Sequence, residues 1–107
     1  MQSMTGLYWE EWEIGQEFVS PARTVTEADI VSFAGVSGDT NPIHLDHAYA
    51  ATTPFKKVIA HGMLSAGYIS AVLGTKLPGP GAVYVSQSLK FRRPVLIGNK
   101  VTTHVHL

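Results

Sequence analysis

Gly62-Met63-Leu64-Ser65-Ala66-Gly67-Tyr68-Ile69-Ser70-Ala71-Val72-Leu73-Gly74-Thr75-Lys76 decides the fold of this 107-residue chain. Its apolar residues cover nearly every face of a helical projection, so the pattern predicts a long helix surrounded by protein. Leu77-Pro78-Gly79-Pro80-Gly81 then breaks it, because neither proline can continue the amide ladder. The helix is also too short, and too interrupted by Ser65 and Ser70, to span a bilayer.

What encloses that helix is written on both sides of it. Downstream, Val83, Val85, Leu89 and Phe91 alternate with Tyr84, Ser86, Ser88 and Lys90, the period of a strand with one buried face. Gly98-Asn99 marks a turn, and Val101, Thr103, Val105 and Leu107 alternate with Thr102, His104 and His106 in a further strand. Upstream, Trp12, Ile14 and Phe18 flank a Gly15-Gln16 turn that feeds a short first strand, with Val19 and Val25 as further apolar contacts. Thr26-Glu27-Ala28-Asp29 has the oxygen cap and early acids of a helix start, and Gly35 and Gly38 bound that helix. Residues 38–43 read as a loop around Pro42 that holds Asp39 and His44, followed by a short helix from Asp46 to Ala51. The order is α+β: an antiparallel sheet wrapped around one helix. Alternation continues to the last residue, so the reading is a single domain over residues 1–107 that lacks its last strand.

Composition narrows the function classes. Eight basic and eight acidic residues give a formal charge of zero, with no long run of either sign, so neither nucleic acid nor a membrane surface is expected as a partner. The absence of cysteine removes thiolate nucleophiles and cysteine-based metal sites. The N-terminal residues carry Glu10, Glu11 and Glu13 in place of a basic start and an apolar stretch, which is not a signal-peptide pattern. The expectation is a cytoplasmic protein.

The chemistry-bearing residues cluster. Gly38-Asp39-Thr40-Asn41-Pro42-Ile43-His44 supplies a carboxylate and an imidazole, and His61-Gly62-Met63 opens the apolar helix. A carboxylate and an imidazole can move a proton, and an amide at a helix N-terminus lies unsatisfied at the positive end of the helix. Glycine at that point lets a carbonyl approach without a side chain in the way. Each residue also has a simpler role. Asp39 and Asn41 are good turn formers, His44 a satisfied histidine, Gly62 a packing glycine, and Ser70 a hydroxyl bonded to its own helix. His61 reads best as orienting the helix start. His44, Asp46, His47 and His61 lie close in sequence but match no metal-ligand spacing, so no metal is expected.

Four motifs in order, Thr24-Val25-Thr26-Glu27-Ala28-Asp29-Ile30, Ser37-Gly38-Asp39-Thr40-Asn41-Pro42-Ile43-His44-Leu45-Asp46, Ala60-His61-Gly62-Met63-Leu64 and Gln87-Ser88-Leu89-Lys90-Phe91-Arg92-Arg93-Pro94-Val95, resemble the MaoC-like, R-specific enoyl-CoA hydratases. The resemblance implies a hot-dog fold and a homodimer or higher oligomer formed through sheet edges. It also implies hydration of a trans-2-enoyl-CoA thioester to the (R)-3-hydroxyacyl-CoA. In it Asp39 and His44 share one catalytic water, and Gly62 donates to the thioester oxygen. Asn41, Ser70 and His61 fall at substrate-side positions, and coenzyme A enters only as part of the substrate, with no separate cofactor. Lys56, Lys57, Lys90, Arg92 and Arg93 are candidates for its phosphates. Two other readings fit the same scaffold: a dehydratase acting on acyl carrier protein thioesters, and a noncatalytic acyl-thioester-binding or assembly subunit.

Overall fold

The computed structural model describes residues 13–107; Trp12 and the three-glutamate start, apart from Glu13, lie outside the described residues. Two compact units emerge. One holds Ala66–Leu89, Thr102–Leu107 and the described part of Met1–Ala22, and the other holds Arg23–Ser65 and Lys90–Val101.

In the first unit, strand β1 (Glu17–Val19) follows a turn at Ile14-Gly15, where Gly15 has φ +97°. It pairs antiparallel with a C-terminal strand, His104–His106, with Phe18 opposite Val105 and Glu17 opposite His106. Ser20 extends the pairing by an unusual route. Its backbone N–H donates to the Thr103 carbonyl, and its Oγ accepts from the Thr103 N–H, both at 2.8 Å. Phe18, Val105 and Leu107 turn inward onto Val72, Leu73 and Leu77 at the end of the long helix, which makes the core of this unit.

In the second unit, β2 (Arg23–Thr24) leads into α1 (Glu27–Ser37). Thr26 Oγ1 accepts from the Asp29 N–H while the Asp29 carboxylate accepts from the Thr26 N–H, a reciprocal capping box. The expectation that Gly35 and Gly38 bound this helix holds for Gly38 alone. Gly38 adopts φ +79° as the left-handed cap and donates to the Ala34 carbonyl, whereas Gly35 stays inside the helix. A single turn, α2 (Pro42–Leu45), and α3 (His47–Ala51) follow, capped by Asn41 and Asp46 respectively. His44 therefore sits on a helical turn and not on the loop expected from Pro42; proline is well suited to the first helical position, where its missing N–H costs nothing.

The long helix α4 runs Gly62–Thr75, close to the span expected. Its last carbonyls are taken up as Leu77 N–H donates to Val72 and Gly79 N–H to Leu73. The final strands are β3 (Lys100–Val101), paired antiparallel with β2, and β4, the His104–His106 strand already met. The single strand expected over 101–107 is thus divided at Thr102-Thr103, where the Ser20 side chain replaces part of the ladder.

Two expectations about enclosure fail among the described residues. Met63, Ile69, Ser70 and Ala71 are exposed, so α4 is not covered on all faces. The alternating segment 83–91 forms no strand, and Val83 and Val85 are 84% and 97% exposed. Alternation specifies which side chains share a face; it does not supply the neighbouring backbone that a ladder requires.

Candidate active site

The second unit gathers the predicted residues through a chain of local bonds. Ser37 Oγ–H donates to the Phe33 carbonyl at 2.7 Å, and the same oxygen accepts from the Asp39 N–H at 3.1 Å. Asp39 Oδ1 in turn accepts from the Asn41 N–H, and Asn41 Oδ1 from the Ile43 N–H. Both side chains thus perform the turn chemistry that their types favour, and that chemistry shapes the loop on which Asp39 stands. For Asn41 the contact present is within the loop.

Ile59 fastens α2 at two points. Its N–H donates to the Ile43 carbonyl, and its carbonyl accepts from His44 Nδ1 at 2.7 Å. Ile59 is itself placed by an antiparallel bridge to Leu96, with the neighbouring Ala60 N–H donating to Val95. A carbonyl can only accept, so the proton of neutral His44 resides on Nδ1 and the lone pair on Nε2. The ring is oriented, and its basic nitrogen faces away from the anchor.

His61 is nearly fully buried, at 3% exposure, and joins both partners. Its Nε2–H donates to the Asp39 backbone carbonyl at 2.9 Å, its ring stacks on His44 with centroids 3.8 Å apart, and Phe33 closes its other side at 4.7 Å. The Asp39, His44 and His61 side chains each offer a donor atom within 4.8 Å of the others. The role expected for His61 is to orient the helix start. The structure adds the bond to residue 39, whose only sequence signal is a histidine immediately before a helix-opening glycine. His61 Nδ1 has no hydrogen-bond partner among the described residues.

Gly62 opens α4, and its N–H belongs to the first turn, which has no intrahelical acceptor. A Cβ here would lie 3.0 Å from the Phe91 ring, so the residue is sterically restricted to glycine unless that ring moves. Phe91, whose alternation predicts a buried strand residue, instead stands half-exposed against the helix start. A cleft of about 330 Å³ opens here, lined by Gly62, His61, Phe55, Phe91, Arg92 and Arg93 among others. Of the basic residues expected near phosphates, Arg92 and Arg93 are thus beside the cleft. Ser70 falls in the first unit, where it lines a separate cleft of about 600 Å³ with Leu73, Val83 and Val105.

A carboxylate beside an oriented imidazole can hold a water molecule and carry its proton, and a helix-terminal amide can stabilise negative charge on a carbonyl oxygen. Comparison with known proteins is consistent with that chemistry. The family pattern described as MaoC like domain matches residues 10–107. An (R)-specific enoyl-CoA hydratase of Rhodospirillum rubrum is 62% identical over 98 residues, spanning 92% of this chain and 67% of that protein. A 3-hydroxybutyryl-CoA dehydratase of Methylorubrum extorquens is 52% identical over 101 residues, spanning 94% and 64%. The unliganded R-hydratase of Pseudomonas aeruginosa superposes with a TM-score of 0.84 at 50% identity, over 91% of this chain and 62% of that one. The chain spans about two thirds of the length of these relatives.

Proposed function

Since the chain belongs to the MaoC-like domain family and has its hot-dog fold, we propose that it is a hydro-lyase adding water to a trans-2-enoyl-CoA thioester to give the (R)-3-hydroxyacyl-CoA. The observation that carries this reading is the convergence of Asp39 with an His44 whose Nδ1–H is committed to a backbone carbonyl.

In the proposed reaction one water lies between the Asp39 carboxylate and His44 Nε2. As its oxygen bonds to C3 of the enoyl group, one water proton passes to the pair, and the C2–C3 π electrons move toward the thioester oxygen. The Gly62 N–H donates to that oxygen as charge develops, an interaction on the order of 3 kcal/mol in a water-poor site. C2 then takes the proton back from the pair on the same face, so the product gains one water and the protein is unchanged. Asp39 orients the water while His44 exchanges the proton; His61 holds both through the residue 39 carbonyl and the stacked ring.

The cleft beside Gly62 would admit the thioester, and Arg92 and Arg93 at its edge suit the phosphates of coenzyme A. No further cofactor is needed. Asn41 is retained as a substrate-side residue, and the reading includes a homodimer and a cytoplasmic setting. No helix among the described residues is long and apolar enough to cross a membrane.

The test is loss of enoyl absorbance with crotonyl-CoA and chiral analysis of the product. Asp39→Asn and His44→Ala should each lower kcat by at least about a hundredfold, the usual scale of acid–base catalysis. Normal turnover by both variants, or an S-configured product, would overturn the assignment. Crotonyl groups on acyl carrier protein in parallel distinguish the dehydratase reading, and binding without turnover would favour a noncatalytic subunit.

A further inference from the structure

A second cluster of donor groups lies in the first unit. Glu17 on β1 faces His104 and His106 on β4, with Glu17 Oε2 at 3.2 Å from His104 Nε2 and Glu17 Oε1 at 3.4 Å from His106 Nδ1. The two imidazoles stack with centroids 4.4 Å apart. From these three groups we infer a binding site for one divalent transition-metal ion of the zinc class, held by Glu17, His104 and His106.

Three features argue for it. First, the ladder sets the register. Glu17 is directly opposite His106, and His104 lies two residues away on the same strand, hence on the same face. Phe18 and Val105, the intervening residues, point the other way into the core and hold that register. Ligand placement therefore follows from a packed ladder and not from loop conformation. Second, the spacing suits the ion. Nitrogen and oxygen ligands about 2.1 Å from zinc in tetrahedral geometry lie about 3.4 Å from each other; the imidazoles stand 3.2 and 3.4 Å from the two separate oxygens of Glu17, and one ligand atom from each of the three residues lies within 4.8 Å of the others, a spread that a small inward movement of these exposed side chains closes. Third, the ligand types agree. Two neutral imidazoles and one carboxylate match the set that zinc, nickel and copper prefer over calcium and magnesium. All three side chains are about half exposed, so the ion has a path in and water can complete its coordination.

The alternative arrangement is a pair of carboxylate–histidine bonds with no ion. The site does not depend on the hydratase reading, because it shares no residue with Asp39, His44 or Gly62.

The experiment uses the full chain, stripped with chelator and titrated with Zn²⁺ by calorimetry and with Co²⁺ by visible absorption and paramagnetic NMR. One equivalent should bind, Co²⁺ should shift or broaden the His104 and His106 ring protons selectively, and Zn²⁺ should raise Tm by tying β1 to β4. Glu17→Gln and His106→Gln should each weaken binding at least tenfold, and His104→Gln with His106→Gln should remove it; His47→Gln should leave it unchanged. These are exposed positions, and the NMR measurement on the unsubstituted protein needs no variant. Absence of saturable binding would overturn the inference, as would binding that survives the double substitution. Loss of that equivalent on Asp39→Asn, with Co²⁺ perturbing His44 and His61 instead, would assign the ion elsewhere and equally overturn it.

Discussion

Gly62 concentrates two demands in one residue. Its amide opens α4, and its missing side chain leaves 3.0 Å between a would-be Cβ and the Phe91 ring. Since Phe91 is 57% exposed, the ring can swing away and an alanine can be accommodated by the fold. Gly62→Ala should therefore retain most of the Tm while lowering kcat/KM by about tenfold or more, because the methyl group occupies the approach to the amide. Steady-state kinetics beside a thermal melt separates the two effects; unchanged kinetics would remove Gly62 from the proposed oxyanion role. His61 differs in kind, since it acts through others. Replacing it with phenylalanine would keep the stacking surface and lose the bond to the Asp39 carbonyl. The expected result is a fall in kcat larger than any change in KM.

Among the elements, α1 best displays how local chemistry prepares the site. Its C-terminal cap, Gly38, immediately precedes Asp39, so the helix end determines where the carboxylate loop departs. At the other end the capping box should contribute about 1 kcal/mol, and Thr26→Ala should lower stability by that amount in a denaturant titration. The Asp29 carboxyl is held below its ordinary value of 3.8, first by the Thr26 backbone N–H, against burial that acts in the opposite direction, with the Thr26 hydroxyl and Arg23 adding to the lowering. A depressed folded-state value means that Asp29 stabilises the protein above its unfolded value, near pH 4. That contribution disappears as pH falls through the lower folded value. Asp29→Asn should accordingly reduce Tm at neutral pH, with the deficit shrinking on acidification; a deficit independent of pH would contradict the assignment. The caps, the start of α4 and its proline–glycine end were legible in the sequence because each depends on residues within a turn of itself. The segment 83–91 was not, because its alternation called for a hydrogen-bonded neighbour that the described residues do not provide.

At the scale of the whole molecule, the proposed homodimer makes a direct prediction: sedimentation velocity at micromolar concentration should give twice the chain mass. A species of single-chain mass across that range would remove the dimer from the reading. Legibility follows the reach of the interactions. The sequence alone determined the capped start of α1, the approximate span of α4 and the identities of Asp39, His44 and Gly62 as candidates, since capping and periodicity act over a few residues. Tertiary structure decided which of them meet. His44 is oriented only because Ile59 is set in place by its bridge to Leu96, and Asp39 is approached by His61 only because a buried ring bridges to the loop from α4's first turn. Such contacts join residues distant in sequence, and no local spacing encodes the backbone carbonyls that hold them.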